Sequence, residues 1–270
     1  MAGQLTQVAQ HHATYPPSEL LHGKGVAGLA QIIRTFGDAA GKDSDQTGYV
    51  NLVCHSAPIE QWEPFERAWR EVCKDFGVCA LHTTDIMTVP HRGEYADWGD
   101  NKADCFLESL LRLFPGDHNQ LKGVACAVSV EGHRRAAHKT NLPPIEKICV
   151  AYCIRSVGVE FPEDDLSFIF DKGEKCRHYA DDLWRTPGPI TDRIVELDAL
   201  MPRVSPALQS TDLTAWLART HWIRTPEKFP SARLQVMSDP SVGKIYYYDS
   251  IRFEEPTLLA FDFDRLIRSL

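Results

Sequence analysis

The chain has 270 residues, 43% hydrophobic and 24% charged, with a net charge of −8. That is the profile of a globular protein with one large domain or two small ones, and it excludes attraction of nucleic acid by bulk positive charge, leaving only a local patch. No apolar run approaches bilayer-spanning length, so no membrane partner is expected. The polar start from Met1 to Tyr15 is not a secretory signal, and the expected location is the cytoplasm.

Residues 1–28 read as an appendage, and 29–270 as the folded domain with a C-terminal extension from about residue 220. Within the appendage, Gly23, Gly25 and Gly28 match the spacing of a dinucleotide fingerprint. That motif needs a strand before it, and Pro16-Pro17 stand there instead, so the match is read as coincidence. Gln31 to Phe36 predicts a strand, Gly37 to Thr47 a polar loop, and Tyr49 to Cys54 a second strand. Pro58 to Phe76 predicts an amphipathic helix with Trp62, Phe65, Trp69, Val72 and Phe76 on one face, as core packing and not as a base-stacking platform. Val78 to Leu81 reads as a short buried strand, Lys102 to Phe114 as a helix capped by Asp100, and Gly123 to Val130 as a long strand. Pro144 to Val157 follows as a helix with a first-turn proline, Leu166 to Phe170 as an apolar strand, Cys176 to Trp184 as a helix and Ile194 to Leu197 as a strand. Ser205 caps a helix from Pro206 to about Arg219; Lys244 to Tyr248 and Phe263 to Leu270 read as a last strand and helix. Early strands lie close together and later ones alternate with helices, which predicts an α/β fold with a mixed sheet flanked by helices.

The eight cysteines form no Cys-x-x-Cys pair, and Cys149 and Cys153 lack a partner pair at zinc-finger spacing. They read as reduced core residues. There is no Gly-x-Ser-x-Gly elbow, Walker loop or His-Glu-x-x-His. Acidic residues at strand ends remain. Asp171 follows a buried apolar strand with Gly173 behind it, which suits either a ligand site at a carboxyl edge or a simple turn. Asp212 shares a helix face with Leu208, Ala215 and Trp216, a placement that requires either a metal or a pairing partner such as Arg203 or Arg219. Asp38 sits among turn residues. His82 and Asp85 suit metal ligation, a phosphate contact or a local cap, and Glu131 stands just past a strand as a ligand or a surface charge. The run His133, Arg134, Arg135, His138 and Lys139 reads as a basic loop, either solvated or meeting phosphate. Hard oxygen donors of this kind suit Mg²⁺ or Mn²⁺.

Four stretches in order, Ala57 to Trp69, Leu81 to Ile86, Phe168 to Asp171 and Pro206 to Trp216, are similar to segments of the prokaryotic family catalogued as domain of unknown function 3800. The resemblance covers about Ile32 to Arg219 and implies a ribonuclease H-like fold. It joins Asp38, Asp171 and Asp212 into one site for divalent metals, with Asp38 bridging and the other two each binding one ion. His82, Asp85 or Glu131 would assist proton transfer or complete the shell, and Arg203, Arg134 and Arg135 would meet substrate phosphate. The family's first strand ends in Asp-Glu-Ser-Gly or a close variant. Here Asp38-Ala39-Ala40-Gly41 keeps the first carboxylate and has alanine at the second acidic position. The implied function is a metal-dependent nuclease acting on RNA or DNA. The alternatives are a catalytically degenerate binding or assembly protein, which Ala39 and the net charge favour, and a phosphatase of small molecules. The sequence assigns no oligomeric state.

Overall fold

Uninterrupted apolar runs in the strands and one-sided apolar stripes on the helices dictate a layered arrangement, and the computed structural model has one. It describes residues 30–41, 48–114, 121–223, 246–253, 258 and 263–270. The appendage at 1–28, with Gly23, Gly25 and Gly28, lies outside them. Strands β1 (Ile32–Ala40), β2 (Tyr49–Pro58), β3 (Lys122–Ser129), β4 (Asp165–Asp171), β5 (Ile194–Leu200) and β6 (Tyr246–Phe253) form one sheet in the order β5-β4-β1-β2-β3-β6. Strand β2 runs antiparallel to both neighbours, and the other pairings are parallel. This is the mixed, helix-flanked sheet expected of a ribonuclease H-like α/β domain. The segment containing β6 extends the sheet beside β3.

Helices α1 (Ile59–Phe76), α2 (Thr83–Met87), α3 (Asp100–Leu111) and α7 (Pro206–Ile223) share one layer, and α4 (Val130–Ala137), α5 (Ile145–Glu160), α6 (Cys176–Trp184) and α8 (Phe263–Arg268) belong to the other. Side chains alternate accordingly. Phe36 and Ile169 face the first layer, and Ile33, Phe168 and Phe170 face the second. Trp62 and Trp69 of α1 are buried, as the helical spacing predicts. Their indole N–H groups bond the Arg34 carbonyl at 3.0 Å and the Gln209 Oε1 at 2.9 Å. The sheet is also pinned across its strands: Arg34 of β1 reaches over β4 to Glu196 of β5 at 3.0 Å.

Several elements differ from their sequence expectation, each for a tertiary reason. β1 continues through Asp38-Ala39-Ala40, because these residues keep their ladder to Val53, Leu52 and Asn51 of β2; pairing overrides local turn chemistry. Val78 to Leu81 is no strand. Side chains satisfy its backbone instead: the Cys79 N–H bonds Glu94, the Leu81 N–H bonds Gln209, and the Ala80 carbonyl accepts from the Tyr95 hydroxyl. Asp100 opens α3 as its first residue, with Gly99 in the cap position. The run Arg134-Arg135 lies on helix α4, whose first turn is capped by the Ser129 hydroxyl accepting from the Gly132 N–H at 3.0 Å.

The layer between α7 and β2 contains a buried polar seam. His55 stands between the Ser210 hydroxyl on Nδ1 and the Thr214 hydroxyl on Nε2, each at 3.2 Å. Burial lowers its pKa to about 3. The unfolded chain therefore binds a proton that the folded chain refuses between pH 6.5 and about 3, so this residue makes stability fall as pH falls through that window. At about 1.4 kcal/mol per unit the loss reaches on the order of 4–5 kcal/mol at its lower end. Denaturant titrations from pH 7 to 3 should show this slope in the parent and a shallower one in His55→Gln. Separately, Trp69→Ala should cost about 3–5 kcal/mol in equilibrium unfolding; an unchanged midpoint would place the ring outside the core.

Candidate metal centre

Two strands set the first half of the site. On the parallel pair β1–β4, Gly37 lies opposite Phe170, so the next residues along, Asp38 and Asp171, emerge side by side at the carboxyl edge. Both share the side-chain parity of Phe36 and Ile169, and therefore the α1/α7 face. Asp38 is only 5% exposed although it is an acid on a central strand.

The second half comes from α7. Its polar residues lock the helix in place before Asp212 is reached. The Gln209 Oε1 accepts from both the Trp69 indole and the Leu81 N–H, and its amide donates to the Pro202 carbonyl at 2.9 Å. One side chain thereby ties α1, the connector that leads to His82 and Thr83, and the turn that carries Arg203. Further along, the Asn51 amide donates to the Ala215 carbonyl at 2.9 Å. With α7 held at both points, Asp212 meets Asp38: the two carboxyls share a hydrogen bond.

The electrostatics record the crowding. Burial first, then the charges of Asp212, Asp171 and Glu174, push the Asp38 pKa well above the ordinary carboxylate range. Burial also raises that of Asp212; the Thr83 hydroxyl, the shared bond with Asp38 and the charge of His82 hold it down, and Asp171 pushes it up. A guanidinium partner would have turned that balance downward. Arg219 donates to the Tyr49 carbonyl at 3.2 Å and Arg203 to His82 at 3.4 Å. The Thr83 hydroxyl is buried and bonds Asp212.

The structure brings His82 and Asp85 to the rim of this group. His82 Nδ1 lies 3.7 Å from Asp85. The Arg203 Nε lies 3.4 Å from His82 Nε2. Glu131, Arg134 and Arg135 are elsewhere. They lie on α4, which follows β3 and packs in the helix layer opposite the Asp38 face, and Glu131 pairs with Arg135 at 2.9 Å. Glu131 is thus a surface ion pair and not part of the acidic group. Asp171 also fulfils its turn role, accepting from the Gly173 N–H at 2.8 Å. Sequence reasoning missed Glu174, whose carboxylate comes within 4.8 Å of those of Asp38 and Asp171. Its only signal was its place three residues after Asp171, in a turn already suspected. Ala39 packs toward the opposite, α5 face.

No family model matches the chain, and no curated protein matches it. Among solved structures it is similar to a crystal structure of a mutant of Bst-RNase HIII, at 11% identity with a TM-score of 0.37, over 72% of this chain and 53% of that one. The chain thus spans about half the length of that protein. A likeness this distant carries no functional argument. Among the described residues no helix is long and apolar enough to cross a membrane.

Raised carboxyl pKa values have a thermodynamic sign. The folded protein holds protons on Asp38 and Asp212 that the unfolded chain has released, so the stability they contribute is present in acid and is lost as pH rises through their raised values. Asp38→Asn keeps a donor for Asp212 and removes one of the repelling charges. Without divalent ions at neutral pH it should raise Tm, by about 2–4 °C for each kcal/mol recovered, and flatten the pH dependence. Scanning calorimetry in chelator at several pH values checks this; a lower Tm at neutral pH would show that the Asp38 charge is compensated.

Proposed function

We propose that this chain is a metal-dependent nuclease that hydrolyses phosphodiester bonds in RNA or DNA, and that it is a divergent relative of the family its sequence resembles. The observation that supports the reading is the group of carboxylates at the ends of β1 and β4: those of Asp38, Asp171 and Glu174 lie within 4.8 Å of one another, and Asp212 acts on Asp38 from α7. Like charges gathered in a buried place are a cost that a divalent cation removes. The donor set fits Mg²⁺ or Mn²⁺, being made of hard oxygens.

Asp38, Asp171 and Asp212 would hold the metal, Asp38 being the one that feels both of the others. The bound metal would supply an activated water and charge stabilisation at the leaving oxygen. The protein's own part is positioning. Asp85 fixes the His82 ring at the rim, where it can pass a proton between solvent and the reacting water. Arg203 is exposed beside it and can present its planar fork to a phosphate.

A panel of single- and double-stranded RNA and DNA, assayed with Mg²⁺ and Mn²⁺ beside free nucleotides, tests this. The parent should cleave a nucleic acid, and Asp38→Asn and Asp171→Asn should each lose on the order of 10²–10³-fold or more, as when a preorganised electrostatic group is removed. One observation favours the degenerate alternative: the shared hydrogen bond between Asp38 and Asp212 also describes a pair settled without metal. An inactive parent whose Tm ignores both ions would establish that reading, since stabilisation requires binding to the folded state.

A further inference from the structure

Gln209 bonds three separate segments of the chain, and two of them carry residues at the mouth of the metal centre. Its Oε1 accepts from the Trp69 indole and from the Leu81 N–H, each at 2.9 Å, and its amide donates to the Pro202 carbonyl at 2.9 Å. Leu81 is followed at once by His82 and Thr83, and Pro202 by Arg203. Gln209 itself stands about one turn of α7 before Asp212. The residue is only 3% exposed, so water does not replace a bond that it gives up.

The place demands an acceptor for two N–H groups and a donor for a carbonyl, all on one side chain. Methionine would fill much the same space and leave two donors and an acceptor unmatched in the interior. Asparagine is one methylene short of spanning the same three segments. What the amide sets is the separation of two turns 121 residues apart in the chain. Across that gap the Arg203 Nε lies 3.4 Å from His82 Nε2, and both residues are exposed. Exposed polar side chains hold each other only weakly, so their spacing is set by the backbones beneath them, which Gln209 joins.

We propose that Gln209 is a positioning residue for the reaction: it sets His82 against Arg203, so that the ring that passes a proton and the guanidinium that meets the phosphate face one substrate in register. This rests on the nuclease reading above, in which His82 and Arg203 serve a phosphodiester. It gives the buried amide a part in turnover beyond its part in holding α7 to the sheet.

Two readouts on the full chain test the assignment: the ring ¹⁵N signals of His82 by nuclear magnetic resonance, and cleavage of the nucleic-acid panel with Mn²⁺. Arg203→Ala should move the His82 signals in the parent and leave them unmoved in Gln209→Met. Gln209→Met should also lower kcat/KM on the order of 10²-fold, the loss that a misplacement of about 1 Å brings, while Mn²⁺ uptake persists. Trp69→Phe removes only the bond to α1; it should lower Tm yet keep both the His82 response and turnover. If Gln209→Met does not fold, Gln209→Asn takes its place in the same comparison. A variant at position 209 that is destabilised like Trp69→Phe but keeps the His82 response and parental kcat/KM makes Gln209 structural and ends the proposal. Loss of Mn²⁺ uptake in that variant ends it too, because the residue would then act through the metal. A parent that cleaves nothing on the panel overturns the nuclease reading, and this one with it.

Discussion

The repulsion between carboxyl groups at the edge of the β1–β4 pair is the constraint around which the rest of the molecule is arranged. A carboxylate at Asp38, on a central strand and under a helix, is unfavourable on its own, and Asp212 above it makes it worse. Such a group persists only where the surrounding structure leaves it no alternative. Here the two-sided ladder of β1 fixes its backbone, and α7 is clamped over it by Gln209 at one end and by the bond from Asn51 to the Ala215 carbonyl at the other. The stability invested in the tryptophans of α1 therefore acts at a distance: the Trp69 indole holds Gln209, and Gln209 holds the helix that carries Asp212.

The same logic explains the polar seam along α7. Four of its polar residues from Gln209 to Thr214, namely Gln209, Ser210, Thr211 and Thr214, are buried. Ser210 and Thr214 bond His55, and both hydroxyls also return to helix carbonyls. Hydrogen bonds with directional demands fix the rotation and translation of a helix on a sheet more narrowly than apolar contact does. An apolar α7 would bury as well, but it would be free to turn, and a turn of a few degrees would carry Asp212 away from Asp38. The acid sensitivity that His55 brings is a consequence of this burial, since desolvation disfavours the charged ring.

Much of the fold was legible because its signals are periodic. The aromatic stripe of α1, the unbroken apolar run of β4 and the helix from Cys176 to Trp184 all appear where pattern places them. Where pattern failed, satisfaction by distant partners was the cause. Val78 to Leu81 is apolar enough for a strand, but Tyr95, Glu94 and Gln209 supply its bonds from 15 to 128 residues away. Arg134 and Arg135 read as a loop because the cap that starts α4 is Ser129, a residue already assigned to a strand. In the site, Asp38, Asp171 and Asp212 could be named one by one, yet Asp38 looked like a turn residue until β2 was set beside it. Glu174 could not be named at all, since its reach depends on how the turn folds back.

The alanine at position 39 bears on whether the centre can be complete. Read along the sequence, it lacks an acid beside Asp38 and suggests a weakened site. Read on the sheet, successive residues of a strand point to opposite faces, and Ala39 packs against the α5 layer, away from Asp171 and Asp212. An acid there would have begun on the wrong side and in the apolar layer of Cys54, Cys149 and Cys153, where burial alone already drives the Cys153 thiol upward. Alanine at that position therefore removes nothing from the Asp38 face and spares the other layer a buried charge. The turn after β4 faces neither restriction. It lies beyond the last paired residue, and an acid there reaches the Asp38 side without crossing the sheet. Whether a carboxylate belongs to this group is decided by the face it starts from, more than by its distance from Asp38 along the chain.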